Sequence, residues 1–154
     1  MEKYIVSSCL AGINCRYDGS NVNNELINKL VREGIAIPLC PEQLGGLPTP
    51  REPVECTMVE GKMRVLSKNG KDYTEYFERG ANIVLEFAKK YDIKKVIFQK
   101  NSPSCGCRAY DGTFSHTLAD YSGITAKMLM DNGLEVISIE DLEERDFEKI
   151  LGGQ

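Results

Sequence analysis

An α/β fold is predicted for this 154-residue chain by two features of its sequence. Four short apolar runs of strand length, at residues 3–9, 35–39, 95–99 and 135–139, are separated by stretches whose apolar residues recur at helical spacing. Gly34 and Gly133 close two of the helical stretches, and strands that alternate with helices favour a parallel sheet joined by right-handed crossovers.

Taken in order, 3–9 reads as the first strand. Asn21 or Asn23 is positioned to cap a helix whose apolar face is Leu26, Ile27, Leu30 and Val31, with Gly34 just past its end. The second strand, 35–39, is followed by a segment, 40–53, that contains Pro41, Pro48, Pro50, Pro53 and the pair Gly45-Gly46, and is expected to be a constrained loop. Residues 57–59 and 63–66 form a small hairpin turned at Glu60-Gly61, and Asn69-Gly70 supplies another tight turn. The longest helix is expected over 72–91, carrying Gly80 in its interior at a cost of about 1 kcal/mol. After the third strand and a long loop, Ser122 caps a helix with Ile124, Met128 and Leu129, and Gly133 stops it. The fourth strand leads to an acidic helix containing Leu142, Phe147 and Ile150. Residues 1–154 are thus expected to form a single domain. It is a Rossmann-like βα sandwich with a mostly parallel sheet of about four strands and a hairpin excursion.

The chain has 19 basic and 23 acidic side chains, a net charge of −4. No long run of Lys or Arg offers the electrostatic footprint that a polymeric nucleic acid or an anionic membrane requires. The first apolar run is soon interrupted by Ser7, Ser8 and Cys9, and no apolar stretch nears the ~20 residues of a spanning helix. A cytoplasmic protein is expected. Its 6 cysteines then point to catalysis or metal binding rather than disulfides. A single His, His116, precludes a His-rich metal site.

Ligands of open α/β sheets bind beyond the carboxyl ends of the strands. That rule singles out Cys9, which ends the first strand, Cys40, which follows the second, and Cys105, in the loop after the third. The cysteine spacings match neither zinc knuckles nor the ferredoxin run. Each of the three nevertheless has hydroxyl or carboxyl neighbours: Ser7 and Ser8, Glu42, and Ser102 and Ser104. Three thiolates on a four-site centre leave one position open, as a catalytic metal needs.

Three segments carry a family resemblance: Ser8-Cys9-Leu10-x-Gly12-x-x-Cys15-Arg16-Tyr17-Asp18-Gly19, Cys40-Pro41-Glu42-x-x-Gly45-Gly46-Leu47-Pro48-Thr49-Pro50-Arg51, and Ser102-Pro103-Ser104-Cys105-Gly106. Together the sequence resembles the thiouracil desulfidase family. The resemblance implies a [4Fe-4S] cluster held by Cys9, Cys40 and Cys105. It also implies a non-redox reaction in which the C=S of 4-thiouracil, 2-thiouracil or a thio-uridine nucleotide becomes C=O. Water is the second substrate and hydrogen sulfide the product, the sulfur passing first onto the open iron.

Glu42, two residues from a ligand, is the candidate base, although a carboxylate there also suits a turn cap or a pairing with Arg51. Ser102 and Ser104 are candidates to hydrogen-bond the pyrimidine or pass a proton, with ordinary turn bonding as the alternative. Among the loop arginines Arg16, Arg51 and Arg108, Arg51 is expected to bind substrate. Gly45 and Gly46 supply either special backbone conformations or close approach to it. Asp18-Gly19 reads as a turn, His116 as a structural histidine, and Cys56 as a buried or free thiol. Cys15 and Cys107 are spare thiols that leave room for a thiol-disulfide enzyme, and a cysteine-based metal or redox sensor without turnover is the main rival.

Overall fold

The computed structural model describes residues 2–153. Its strands β1 (Tyr4–Ser7), β2 (Ala36–Leu39), β5 (Lys95–Phe98) and β6 (Glu135–Ser138) form one parallel sheet in the order β2-β1-β5-β6. Between them come α1 (Glu25–Arg32), the short α2 (Pro41–Leu44), an antiparallel hairpin of β3 (Val54–Val59) and β4 (Lys62–Ser67), α3 (Thr74–Lys90) and α4 (Ile124–Asp131). The last helix, α5 (Glu144–Gly152), follows β6. The predicted α/β class, the parallel sheet of four strands and the hairpin are all observed.

Every residue of β1 is buried, as in a sheet covered on both faces. Alternation sends Tyr4, Val6 and Ile97 into a core with α1 and Phe147 of α5. Ile5, Val96 and Phe98 face the opposite way, onto Val84 and Leu85 of α3 and Ala126 and Leu129 of α4. A third cluster, with Leu47, Cys56, Val65, Phe77 and Ala109, fixes the hairpin to α3 and to the loop after β5.

Several boundaries differ from expectation. Helix α1 is capped by Asn24, whose Oδ1 accepts from the Leu26 and Ile27 amides, because Asn21 and Asn23 are engaged with Asn14, Glu25 and Asn28. The N-cap of α4 is Gly123 rather than Ser122. Its amide bonds to the Gly106 carbonyl at 2.8 Å, and a Cβ there would lie 2.7 Å from the carbonyl oxygens of Ser102 and Ser104. Only glycine lets the helix start press against that loop. The hairpin begins at Val54, so Glu55 and Cys56 lie within it, and its turn uses Glu60 and Gly61 at φ 50° and 79°.

Residues 40–53, expected to be loop throughout, contain α2, with Cys40 as its N-cap and Pro41 in its first turn. The helix rests directly on α3. A Cβ on Gly80 would lie 1.9 Å from the Pro41 carbonyl oxygen, and one on Gly45 2.0 Å from that of Tyr76. The costly glycine inside α3 is thus a backbone crossing that sets the position of Glu42. Gly80→Ala is therefore expected to lower the unfolding free energy by roughly 2 kcal/mol, measured by urea unfolding. A gain of about 1 kcal/mol, normal for Gly→Ala in an open helix, would mean the crossing is not maintained in solution.

Candidate functional site

In the sheet order, β1 is followed along the chain by β2 on one side and later by β5 on the other, so the direction of winding reverses between β1 and β5. Loops diverge at such a point and leave a crevice at the strand carboxyl ends. A cavity of about 430 Å³ opens there, within the range of ~300–1,000 Å³ typical of small-molecule sites.

Cys9 lies in a single 3₁₀ turn after β1, Cys40 directly after β2, and Cys105 in the loop after β5. Three adjacent strands thus deliver the three predicted thiols to one cavity wall, and Cys15 joins them there. Burial pushes Cys105 up to about 12, a shift that hydrogen bonds with Ser7 and Ser104 partly oppose. The Cys15 contact and then burial push the Cys40 thiol far up. Cys15 itself reaches about 11: its hydrogen bond with Cys40 lowers it, while one with Cys9, together with burial, raises it more. Among the described residues no three His, Cys, Asp or Glu side chains are grouped closely enough for a single metal ion. Each thiolate on a cubane cluster binds its own iron, so three ligands need not converge on one ion.

Glu42, in the first turn of α2, lines the same cavity. Its Oε1 accepts from Arg51 Nε at 3.0 Å and lies 3.0 Å from Arg51 Nη2 in an ion pair, and its Oε2 accepts from Ser104 Oγ at 2.8 Å. Ser102 Oγ stands 3.0 Å from Ser104 Oγ and accepts from the Ser104 and Cys105 amides. Those two acceptor contacts leave the Ser102 hydrogen to donate, so a continuous chain runs Ser102 to Ser104 to Glu42. Ser104 is buried and Ser102 half-buried at the cavity wall.

Arg51 also donates Nη1 to Pro48 O and Thr49 Oγ1, and Nη2 to Cys15 O. Four of its five N–H donors are thereby hydrogen-bonded inside the protein, and Nη2 also closes the ion pair with Glu42. Arg51 acts as a strut of the wall, its guanidinium engaged with protein acceptors where a substrate contact was expected. Gly45 and Gly46 likewise pack on Tyr76, Arg79 and Gly80 of α3 and do not line the cavity. Their role is the close approach of two helices.

Of the other residues singled out, Arg16 lines the cavity, whereas Arg108 donates to Ala119 O away from it. Asp18 accepts from Ser20 in the expected turn. Cys56 is fully buried in β3 against the Pro103 carbonyl, and Cys107 lies against Val136 O of β6, apart from the cavity that Cys105 lines.

The mouth holds groups that the motifs did not indicate. Tyr110 stacks on His116, with ring centroids 4.9 Å apart, and Phe114 lines the same side. The loop bearing them is held by the buried Glu55, whose Oε1 accepts from the Gly112 and Phe114 amides. A buried carboxylate in a strand was the one available signal, obscured because the hairpin was expected to start after it. Lys100 and Asn101 complete the rim.

A family model described as 2-thiouracil desulfurase matches residues 4–141. The chain is 44% identical over 147 residues to the uncharacterised protein YbbK of Bacillus subtilis (strain 168), covering 91% of this chain and 97% of that one. It is similar over 100% of both chains to the solved structure of TudS, described as a [4Fe-4S]-dependent thiouracil desulfidase, with a TM-score of 0.86 and 36% identity.

The buried Glu42–Arg51 pair is expected to be strongly coupled. A double-mutant cycle of Glu42→Gln and Arg51→Met, read by urea unfolding, should give an interaction energy of about 1–3 kcal/mol. Additivity within ~0.5 kcal/mol would mean that the two side chains act independently.

Proposed function

Because the chain belongs to the 2-thiouracil desulfurase family, we propose that it is a [4Fe-4S]-dependent desulfidase that converts a thiolated uracil to uracil. Water replaces the thiocarbonyl sulfur, which leaves as hydrogen sulfide. The observation that carries this reading is the meeting of Cys9, Cys40 and Cys105 with the chain Ser102–Ser104–Glu42 around one cavity. The donor set fits the cofactor: three thiols on different loops suit three corners of a cubane, and no fourth ligand is required. Bound there, the cluster supplies a Lewis-acidic iron with an open site for soft sulfur.

Everything else falls to this chain's side chains. Attack on the thiocarbonyl carbon needs a water that loses its proton as the C–O bond forms. Glu42, which lines the cavity, receives that proton at Oε2, and the Ser102–Ser104 hydrogen-bond chain holds that oxygen in place. Arg51 keeps the carboxyl oriented from the opposite oxygen. Glu42 then returns that proton to the departing sulfur, and the hydroxyl left on carbon gives up the second as the C–S bond breaks, so that both protons of water leave as hydrogen sulfide with no net electron transfer. Tyr110, Phe114 and His116 offer an aromatic mouth for a pyrimidine ring. Arg16 and Lys100, which among the described residues make no ion pair, suit the phosphate of a thio-uridine nucleotide.

Protein reconstituted without oxygen should hold about four iron and four sulfide per chain and remove the thiocarbonyl absorbance of 4-thiouracil. Cys9→Ala, Cys40→Ala and Cys105→Ala are each expected to lose iron and turnover together. Glu42→Gln should keep its iron while kcat falls by about 10²–10⁴. Full turnover by iron-free protein would overturn the cluster assignment, and full turnover by Glu42→Gln would remove the base.

A further inference from the structure

A second carboxylate on the cavity wall takes no part in the steps above. Glu55, in β3, lines the same space as Glu42 and is only 6% exposed. Its Oε1 accepts from the Gly112 amide at 3.0 Å and from the Phe114 amide at 3.1 Å. The loop it holds is also fixed by other bonds. The Asp111 and Ala119 amides donate to Thr117 O and Ala109 O, both at 2.9 Å, and Tyr121 Oη donates to Cys56 O at 2.7 Å. Gly112, at φ 90°, presses on β3 so closely that a Cβ there would lie 2.6 Å from that of Thr57. Glu55 Oε2, by contrast, has no hydrogen-bond partner among the described residues. Nor is it sealed in, since the one buried side-chain polar atom left without a partner among those residues is Thr125 Oγ1. A half-used carboxylate therefore opens on the cavity beside the loop of Tyr110, Phe114 and His116. The other two carboxylates there are engaged, Glu42 by Arg51 and Ser104 and the exposed Glu52 by Tyr73 Oη.

We propose that Glu55 sets the base specificity of the pocket: its Oε2 accepts a hydrogen bond from the N3–H of a thiolated uracil while its Oε1 keeps the aromatic loop in place. This rests on the desulfidase reading. N3 lies between C2 and C4, so its hydrogen flanks the reacting carbon in 2-thiouracil and 4-thiouracil alike, and it stays free when N1 carries ribose. An ionised carboxylate only accepts, so it pairs with a ring N–H and is repelled by a ring nitrogen that presents a lone pair. A bond of this charge-assisted kind is roughly twice as strong as one between neutral groups. The same oxygen therefore favours uracil-type rings, which carry a hydrogen on N3, over cytosine-type rings, which do not. Because one side chain holds both the aromatic loop and the ring edge, stacking and hydrogen bonding are set together.

The test uses the full chain reconstituted with iron and assayed on 2-thiouracil and 4-thiouracil, with uracil and cytosine as competing inhibitors. Uracil offers N3–H, whereas cytosine presents an N3 lone pair in a ring of the same size. The parent should bind uracil at least about tenfold more tightly than cytosine. In Glu55→Gln the two loop amides still need an acceptor, so the amide oxygen stays with them and the NH2 turns to the cavity. KM should then rise at least about tenfold while kcat stays within about threefold of the parent. Iron content should be unchanged and the inhibition ratio should shift towards cytosine. An unchanged KM in Glu55→Gln, or a ratio equal to the parent's, overturns the proposal. A parent that binds uracil and cytosine equally overturns it too, and that measurement needs no variant, so it decides even where Glu55→Gln does not fold. A parent that loads iron but turns over neither thiouracil refutes the desulfidase reading on which the assignment rests, a result distinct from equal inhibition by the two bases.

Discussion

Arg51 is the point on which the pocket closes. Its guanidinium is 7% exposed and meets the Glu42 carboxyl, the Cys15, Pro48 and Thr49 oxygens and no solvent-facing partner. Burying such a charge is costly, and the cost is offset only when every donor finds an acceptor in good geometry. That requirement ties three loops together. The turn after β1 contributes a carbonyl, α2 a carboxylate, and the segment before β3 the arginine itself. Loss of any one acceptor would leave a buried donor unsatisfied. The arrangement of thiols and hydroxyls around the cavity therefore inherits its rigidity from one side chain.

A second constraint is steric. Helix α2 has only four residues, too few to hold its shape alone. It is supported by backbone contact with α3 at Gly45 and Gly80, and Arg79 donates to the Gly45 carbonyl from the same helix. On the other side, Gly123 lets the start of α4 meet the loop that carries Ser102, Ser104 and Cys105. Glycines here act as contact surfaces: they let two helices approach backbone segments that bear the reactive groups. The hydroxyl and carboxyl chain is thus set by helix packing rather than by loop conformation alone.

Among the expected site residues, those beside the strand ends were legible because the rule that locates them is topological. A parallel sheet brings the residues that follow its strands to one edge whatever the side chains in between. Cys9, Cys40, Cys105, Glu42, Ser102 and Ser104 come together for that reason. The substrate role expected of Arg51 and the glycines did not follow the same logic. Arginine and glycine in a loop are compatible with both a ligand and a packing role, and only the count of satisfied donors and the position of a hypothetical Cβ distinguish the two. Tyr110, Phe114 and Glu55 were not singled out because they belong to an irregular loop and a hairpin, with no periodicity to mark which way a side chain faces.

By itself the sequence determined the α/β class, the alternation of strands and helices, and the set of thiols and carboxyl and hydroxyl groups near the strand ends. These are consequences of local hydrophobic period and chain direction. Tertiary structure alone decided that β1 lies between β2 and β5, that Glu42 turns one oxygen to Arg51 and the other to Ser104, and that Cys15 stands against Cys40. Those contacts join residues far apart in the chain. Their partners are selected by packing and by the need to satisfy buried charge, neither of which a window of sequence contains.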